Sequence, residues 1–270
     1  MSIRHYRPRG KRRRGPSFGE KVVLYVLLAI AIGTQVAYPL VHGNALRDLT
    51  LAIVYFGALA MLVHGYLSYG IKYSLIFIFI TFFFALGIEK VGSRTGWPFG
   101  RYHYDHSLGF QIAGVPLVVP FAWLMLSHPI LVLARRLSRN WVFLVGGLGL
   151  MGWDLFLDPQ MVAANRWTWK VSGPHTPLES GIPLSNSFGW LLSGIALMGL
   201  LNLLLPKERR RNGANQSAPE ILLAWTFFSG VVGNLFFFHR PGVAVIGGLV
   251  FGAILTPYFF KARFGRPDDQ

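Results

Sequence analysis

The sequence predicts an all-α fold: a polytopic membrane bundle of about eight transmembrane helices with both termini in the cytoplasm. Three observations predict it. Apolar residues make up 53% of the 270 positions and fall in long unbroken runs, each near the roughly 20 residues needed to cross a hydrocarbon core. The runs are separated by short gaps that hold most of the charge, and the basic residues in those gaps alternate in abundance from one gap to the next.

The runs lie near 22–41, 49–68, 73–89, 115–134, 141–160, 188–205, 221–238 and 243–260. The first follows a basic stretch, Arg4 to Arg14, but it is too long for a signal-peptide core and lacks a small-residue cleavage site, so it reads as a retained helix. With the N-terminus inside, 19 of the 26 Lys and Arg residues fall on the inner side and 7 on the outer side. An odd number of spans spoils that asymmetry. The expected organisation is a basic tail over 1–20, one transmembrane domain over 21–261 and a second tail over 262–270, in a multi-pass protein of the cell membrane.

The net charge of +15 is accounted for by topology, and no basic groove interleaved with aromatics remains to bind nucleic acid. The N-terminal tail suits contact with anionic lipid headgroups. The chain has no cysteine, which excludes disulfides, thiolate nucleophiles and Cys-ligated zinc or iron–sulfur clusters.

Two connections are longer than the rest, 92–114 and 164–187, and both fall on the expected outer side. They are rich in Gly, Pro, Trp, Tyr and His, a composition that suits structured caps over a bundle. The inner connection from Lys207 to Pro219 is polar and basic and reads as a solvated linker.

Acidic side chains are costly at membrane depth, yet Glu89 ends the third run and Asp154 and Asp158 lie within the fifth. Four residues apart on a helix, Asp154 and Asp158 share one face, where two negative charges in a low dielectric disfavour joint ionisation. A neutral acid beside a carboxylate is the raw material of general acid catalysis. Asp158 precedes Pro159 at the wetter helix end, which assigns it the carboxylate and the deeper Asp154 the proton. Topology brings Glu89 and Asp105 to the same side, so these four are the candidate catalytic acids. The structural alternative is ion pairing with Arg101, Arg166 or Lys170 at the interface.

The surroundings are aromatic: Trp97, Tyr102 and Tyr104 in one loop, Trp153 beside Asp154, and Trp167, Trp169 and Trp190 beyond. Taken singly, each is an interfacial anchor. As a cluster they suit an apolar pocket that stabilises a cation, which protonation of an alkene requires. The spacing of His103 and His106 fits neither a zinc-protease motif nor di-iron histidine boxes, so no metal site is assigned. His64 and His128, within spans, read as hydrogen-bonded bundle residues.

Two blocks carry a family resemblance. The first runs from Glu89 to Trp123 and contains Gly96-Trp97-Pro98-Phe99-Gly100-Arg101-Tyr102-His103-Tyr104 and Gly114-Val115-Pro116. The second contains Trp153-Asp154-Leu155-Phe156-Leu157-Asp158-Pro159, Trp167-Thr168-Trp169, Gly181-Ile182-Pro183, Asn186 and Gly189-Trp190. Together, over roughly a third of the chain, they resemble the membrane carotenoid biosynthesis proteins that include carotenoid 1′,2′-hydratases and bisanhydrobacterioruberin hydratases. The resemblance implies addition of water to the terminal isopropylidene double bond of a carotenoid without any cofactor. It also implies Asn186 as a substrate-binding residue beside the seven aromatic positions, Trp97, Tyr102, Tyr104, Trp153, Trp167, Trp169 and Trp190, with other carotenoid biosynthesis enzymes as candidate partners. One departure is Pro177-Leu178-Glu179-Ser180 in place of an expected aromatic before Gly181, which leaves C40 and C50 substrates both open.

Two other classes compete. An intramembrane prenyltransferase uses Asp-x-x-x-Asp pairs to bind magnesium diphosphate, but a second acidic cluster is missing here. A proton-coupled transporter would relay protons through Glu89, Asp154 and Asp158, but no repeat relates the two halves.

Overall fold

The computed structural model describes residues 15–171, 173–176, 179–206 and 210–264. The tail from Arg4 to Arg14, the departure at Pro177 and Leu178, and Lys207 and Arg209 of the linker lie outside the described residues.

Among the described residues, eight helices are long and apolar enough to cross a membrane, the seventh when its π-helical end to Phe237 is counted. They are α1 (Phe18–Ala37), α2 (Gly43–Tyr69), α3 (Ile71–Thr95), α4 (Val118–Leu137), α5 (Val142–Ala163), α6 (Leu184–Leu204), α7 (Ser217–Val232) and α8 (Pro241–Phe264). All eight expected runs are present, and their ends moved for local reasons. Helix α1 begins inside the expected tail because Ser17 and Glu20 form a reciprocal capping box: Ser17 Oγ accepts from the Glu20 amide, and Glu20 Oε2 accepts from the Ser17 amide. Helix α3 runs past Glu89 to Thr95 and stops at Gly96, whose φ of 82° supplies the left-handed cap. A π-helical turn, Gly233–Phe237, extends α7.

Helix α4 is buried almost all round and forms the centre of the bundle. Helices such as α3 turn large apolar side chains outward, Phe79 and Phe83 among them, as a lipid-facing surface requires. Within a bilayer, close packing supplies much of the association between helices, and small residues permit it. At the α5–α6 crossing a Cβ on Gly194 would stand 2.9 Å from the Gly147 Cα.

The two long connections are structured caps, as their composition predicts. Strand β1 (Tyr102–Tyr104), from the first, pairs antiparallel with β4 (Trp167–Trp169), from the second, in the register Tyr102 to Trp169 and Tyr104 to Trp167. Shorter ladders join β2 (Gln111–Ile112) to β3 (Val115–Pro116) and β5 (His175–Thr176) to β6 (Glu179–Pro183). Phe99 wedges this cap into the helices. A Cβ on Gly92 of α3 would stand 2.7 Å from its ring, and one on Gly189 of α6 would stand 2.6 Å from it.

Candidate active site

The β1–β4 ladder lies over the ends of α3 and α5, where the buried acids are. Glu89, on α3, is 4% exposed and accepts three hydrogen bonds. Tyr102 Oη donates to its Oε2 at 2.5 Å, Tyr104 Oη to the same oxygen at 2.7 Å, and Trp123 Nε1 to Oε1 at 3.0 Å. Tyr102 and Tyr104 alternate by two along β1, which places both rings on one face of the strand. Burial, and then the Glu89 carboxylate, push both phenols well above their ordinary range, so they remain donors.

The second acidic group is the α5 pair. Asn186 Nδ2, from the first turn of α6, donates to Asp154 Oδ2 at 3.1 Å and makes a closer contact with Asp158 Oδ2. Trp167 Nε1 donates to Asp158 Oδ1 at 3.1 Å, so the β4 strand fixes that carboxyl from above. Asp154 Oδ1 is buried with no hydrogen-bond partner among the described residues. The partners of Glu89, Asp154 and Asp158 are thus Tyr, Trp and Asn side chains, not Arg101, Arg166 or Lys170. Interfacial ion pairing does not explain these acids.

Glu89 and Asp158 both line one cavity of about 270 Å³. Its walls include Trp123, Trp153 and Trp190. The Trp123 and Trp190 rings stack at 4.5 Å with 14° between planes, and Trp153 meets Trp190 edge-on at 5.7 Å. Asp154 does not line the cavity and is tied to Asp158 through the shared Asn186 amide. The depth rule that gave the donated proton to Asp154 therefore meets a geometric objection, because a donor must touch the atom it protonates.

Of the expected site residues, Glu89, Tyr102, Tyr104, Trp153, Asp158, Trp167, Trp169, Asn186 and Trp190 line the cavity. Besides Asp154, two do not gather there. Asp105 is exposed and caps a short 3-10 turn by accepting from the Ser107 amide at 2.8 Å; its hydrogen bonds with Ser107 hold its carboxyl below the usual range. Trp97 is 62% exposed at the end of α3, away from the cavity wall, a position that fits an interfacial anchor.

Trp123 is the main residue that sequence reasoning left out. Its signal was present: it sits well inside an apolar run, away from the headgroups where an indole anchor belongs. Gln35 and Trp225, on α1 and α7, were also missed, and nothing in their local sequence ties them to the two motif blocks. His64 and His128 are hydrogen-bonded bundle residues as expected, with Nδ1 of the first 2.8 Å from Nε2 of the second. Among the described residues no group of three His, Asp or Glu side chains is placed to hold a metal ion.

Eight helices fit to span a membrane, with Glu89 and Asp158 at a tryptophan-walled cavity under a loop cap, define a multi-pass integral membrane protein. A family model described as carotenoid biosynthesis protein matches residues 49–255, and the chain belongs to that family. It is also similar to the bisanhydrobacterioruberin hydratase of Haloarcula japonica, with 40% identity over 118 residues, which cover 41% of this chain and 39% of the relative. The match thus spans well under two thirds of that relative's length. No solved structure matches the chain.

Proposed function

We propose that this protein is a carotenoid hydratase, adding water across the terminal isopropylidene double bond of an acyclic end group to give a tertiary alcohol. The observation that carries this reading is that Asp158 and Glu89 face one apolar cavity walled by indoles. The name of the Haloarcula japonica relative supports it from a separate direction.

Asp154 and Asp158 meet at the same Asn186 amide nitrogen in a dry site, where two like charges repel, so the pair holds one proton between them. Asp158, at the cavity wall, gives that proton to the CH carbon of the alkene. A C–H bond forms and the positive charge is left on the dimethyl-substituted carbon. The faces of Trp123, Trp153 and Trp190 stabilise this cation without supplying a nucleophile that would trap it. Glu89, oriented by its three donors, holds the water. As the water oxygen bonds to the cation, the Glu89 carboxylate takes its proton. Return of that proton to the aspartate pair restores both groups, with one water consumed for each alcohol formed. No electrons are transferred, so the reaction calls for no redox cofactor.

The basic residues Arg135, Arg136, Arg210, Arg211 and Lys261 lie on the face opposite the loop cap, which supports cytoplasmic termini and an outward-facing site in the cell membrane. A carotenoid is confined to the bilayer, and enzymes that make or modify it in the same membrane are the candidate partners.

The test is expression in bacteria that accumulate lycopene, followed by mass measurement of the pigment. Gain of one water is the expected result. Unchanged pigment mass at verified membrane expression rejects the reading. Addition of a prenyl unit identifies a prenyltransferase instead, and proton flux through proteoliposomes without substrate identifies a transporter.

A further inference from the structure

The cavity at Glu89 and Asp158 is too small for a whole carotenoid, because drug-sized ligands already take roughly 300–1,000 Å³ and this one offers about 270 Å³. An end group fits inside, and the rest of the polyene must leave through a wall. Most of the walls are closed. The β1–β4 ladder covers one end, and α4, α5 and α6 present buried side chains.

One edge differs. Val36 of α1, Phe228 of α7 and Phe237 of the π-helical turn line the cavity, yet they are 53%, 53% and 51% exposed on the lipid-facing surface. They are the three lining residues that open to both sides. Across the same edge the contact between α1 and α7 includes a side-chain hydrogen bond, Trp225 Nε1 donating to Gln35 Oε1 at 2.7 Å, and both residues line the cavity. Breaking this bond in lipid leaves both groups unpaired, so it ties α1 to α7 at this edge. Helix α7 also changes there from α to π geometry at Gly233–Phe237, a departure often found at functional sites.

We propose that the cleft between α1 and α7 is the lateral mouth of the site, through which the polyene of a carotenoid passes between the lipid and the cavity. Val36, Phe228 and Phe237 form its lips, and the Gln35–Trp225 hydrogen bond is its latch. This rests on the hydratase reading only for the identity of the substrate, and its test separates binding from reaction.

The test uses full-length protein purified from lycopene-accumulating cells, with retained pigment measured per protein. Val36→Trp adds bulk to a lipid-exposed lip, and Val23→Trp makes the same change at an equally exposed position of α1 that does not line the cavity. Overpacking a ligand channel is expected to lower pigment retention by about tenfold in Val36→Trp, with Val23→Trp matching wild type. Gln35→Ala removes the latch without adding bulk, and exchange of bound lycopene with added vesicles should quicken several-fold. Wild-type retention in Val36→Trp together with wild-type exchange in Gln35→Ala overturns the mouth. The mass of the retained pigment decides the reaction separately: lycopene held at the α1–α7 edge without gain of water leaves the mouth standing and rejects the hydratase.

Discussion

Trp123 Nε1 and Glu89 Oε1 are 3.0 Å apart, joined by a hydrogen bond between the central helix α4 and α3. The same indole stacks on Trp190 of α6, so one side chain orients a buried carboxylate and forms the apolar wall beside it. If Glu89 takes the proton of the attacking water, Glu89→Gln lowers turnover about 100-fold, the usual scale for a general base, while pigment binding persists. Trp123→Phe keeps most of the wall and removes one donor, so a smaller loss, about tenfold, is expected. Rate measurements in membranes at matched expression check both, and equal rates for Glu89→Gln and wild type remove Glu89 from the mechanism.

If Asp154 and Asp158 act as one proton-transfer unit, either Asp→Asn change removes it while preserving size. Turnover should fall about 100-fold or more in each variant, and the double variant should be little worse than the singles, as expected of groups that act together. Asp105→Asn, at the exposed turn, should stay within about threefold of wild type. A severe loss at Asp105 with near-normal rates at both α5 positions reverses the assignment.

The proposed chemistry transfers no electrons and routes no step through a metal, so purified protein is expected to retain its rate after treatment with EDTA. Loss of turnover that magnesium restores would instead support diphosphate chemistry.

The phenols of Tyr102 and Tyr104 are raised by burial and then by Glu89, and a raised phenol stays protonated to higher pH. An ordinary tyrosine is half ionised near pH 10, so at that pH wild type should show no more tyrosinate absorbance than the Tyr102→Phe/Tyr104→Phe double variant. Extra tyrosinate absorbance in wild type near pH 10 would mean that the two donors are lost there, and the pH–rate profile would fall with them.

Close approach at the α5–α6 crossing makes Gly147 intolerant of bulk. Its Cβ would stand 2.7 Å from Ile195 Cγ1 and 2.9 Å from the Ile195 amide nitrogen, which is backbone and cannot swing away. Gly147→Leu should cost about 1–3 kcal/mol or more and lower the thermal midpoint in detergent, because the helices must separate. An unchanged midpoint shows that the crossing has slack.

Part of the candidate site was legible because its chemistry is local. Asp154 and Asp158 share a helix face by spacing alone, and Tyr102 and Tyr104 share a strand face in the same way. Asp105 looked equivalent because topology brought it to the same side, but side is not depth: its carboxylate turns outward to cap Ser107. Trp123 was passed over although its place inside an apolar run set it apart from interfacial anchors, because nothing local shows that its indole reaches Glu89 on another helix.

The sequence by itself determined the eight spans, because lipid forces each crossing to be a self-satisfied helix of about 20 apolar residues, and that demand is written in consecutive positions. It also marked Glu89, Asp154 and Asp158, since a buried acid stands out against such a run. Only the tertiary structure decided which acids meet the cavity and what holds them. Tyr102 facing Trp169, Asn186 lying between two aspartates, and Gln35 reaching Trp225 across 190 positions are contacts between distant segments. Such contacts depend on how the helices rotate and pack against one another, and packing is set by the fit of whole surfaces, which no single stretch of sequence contains.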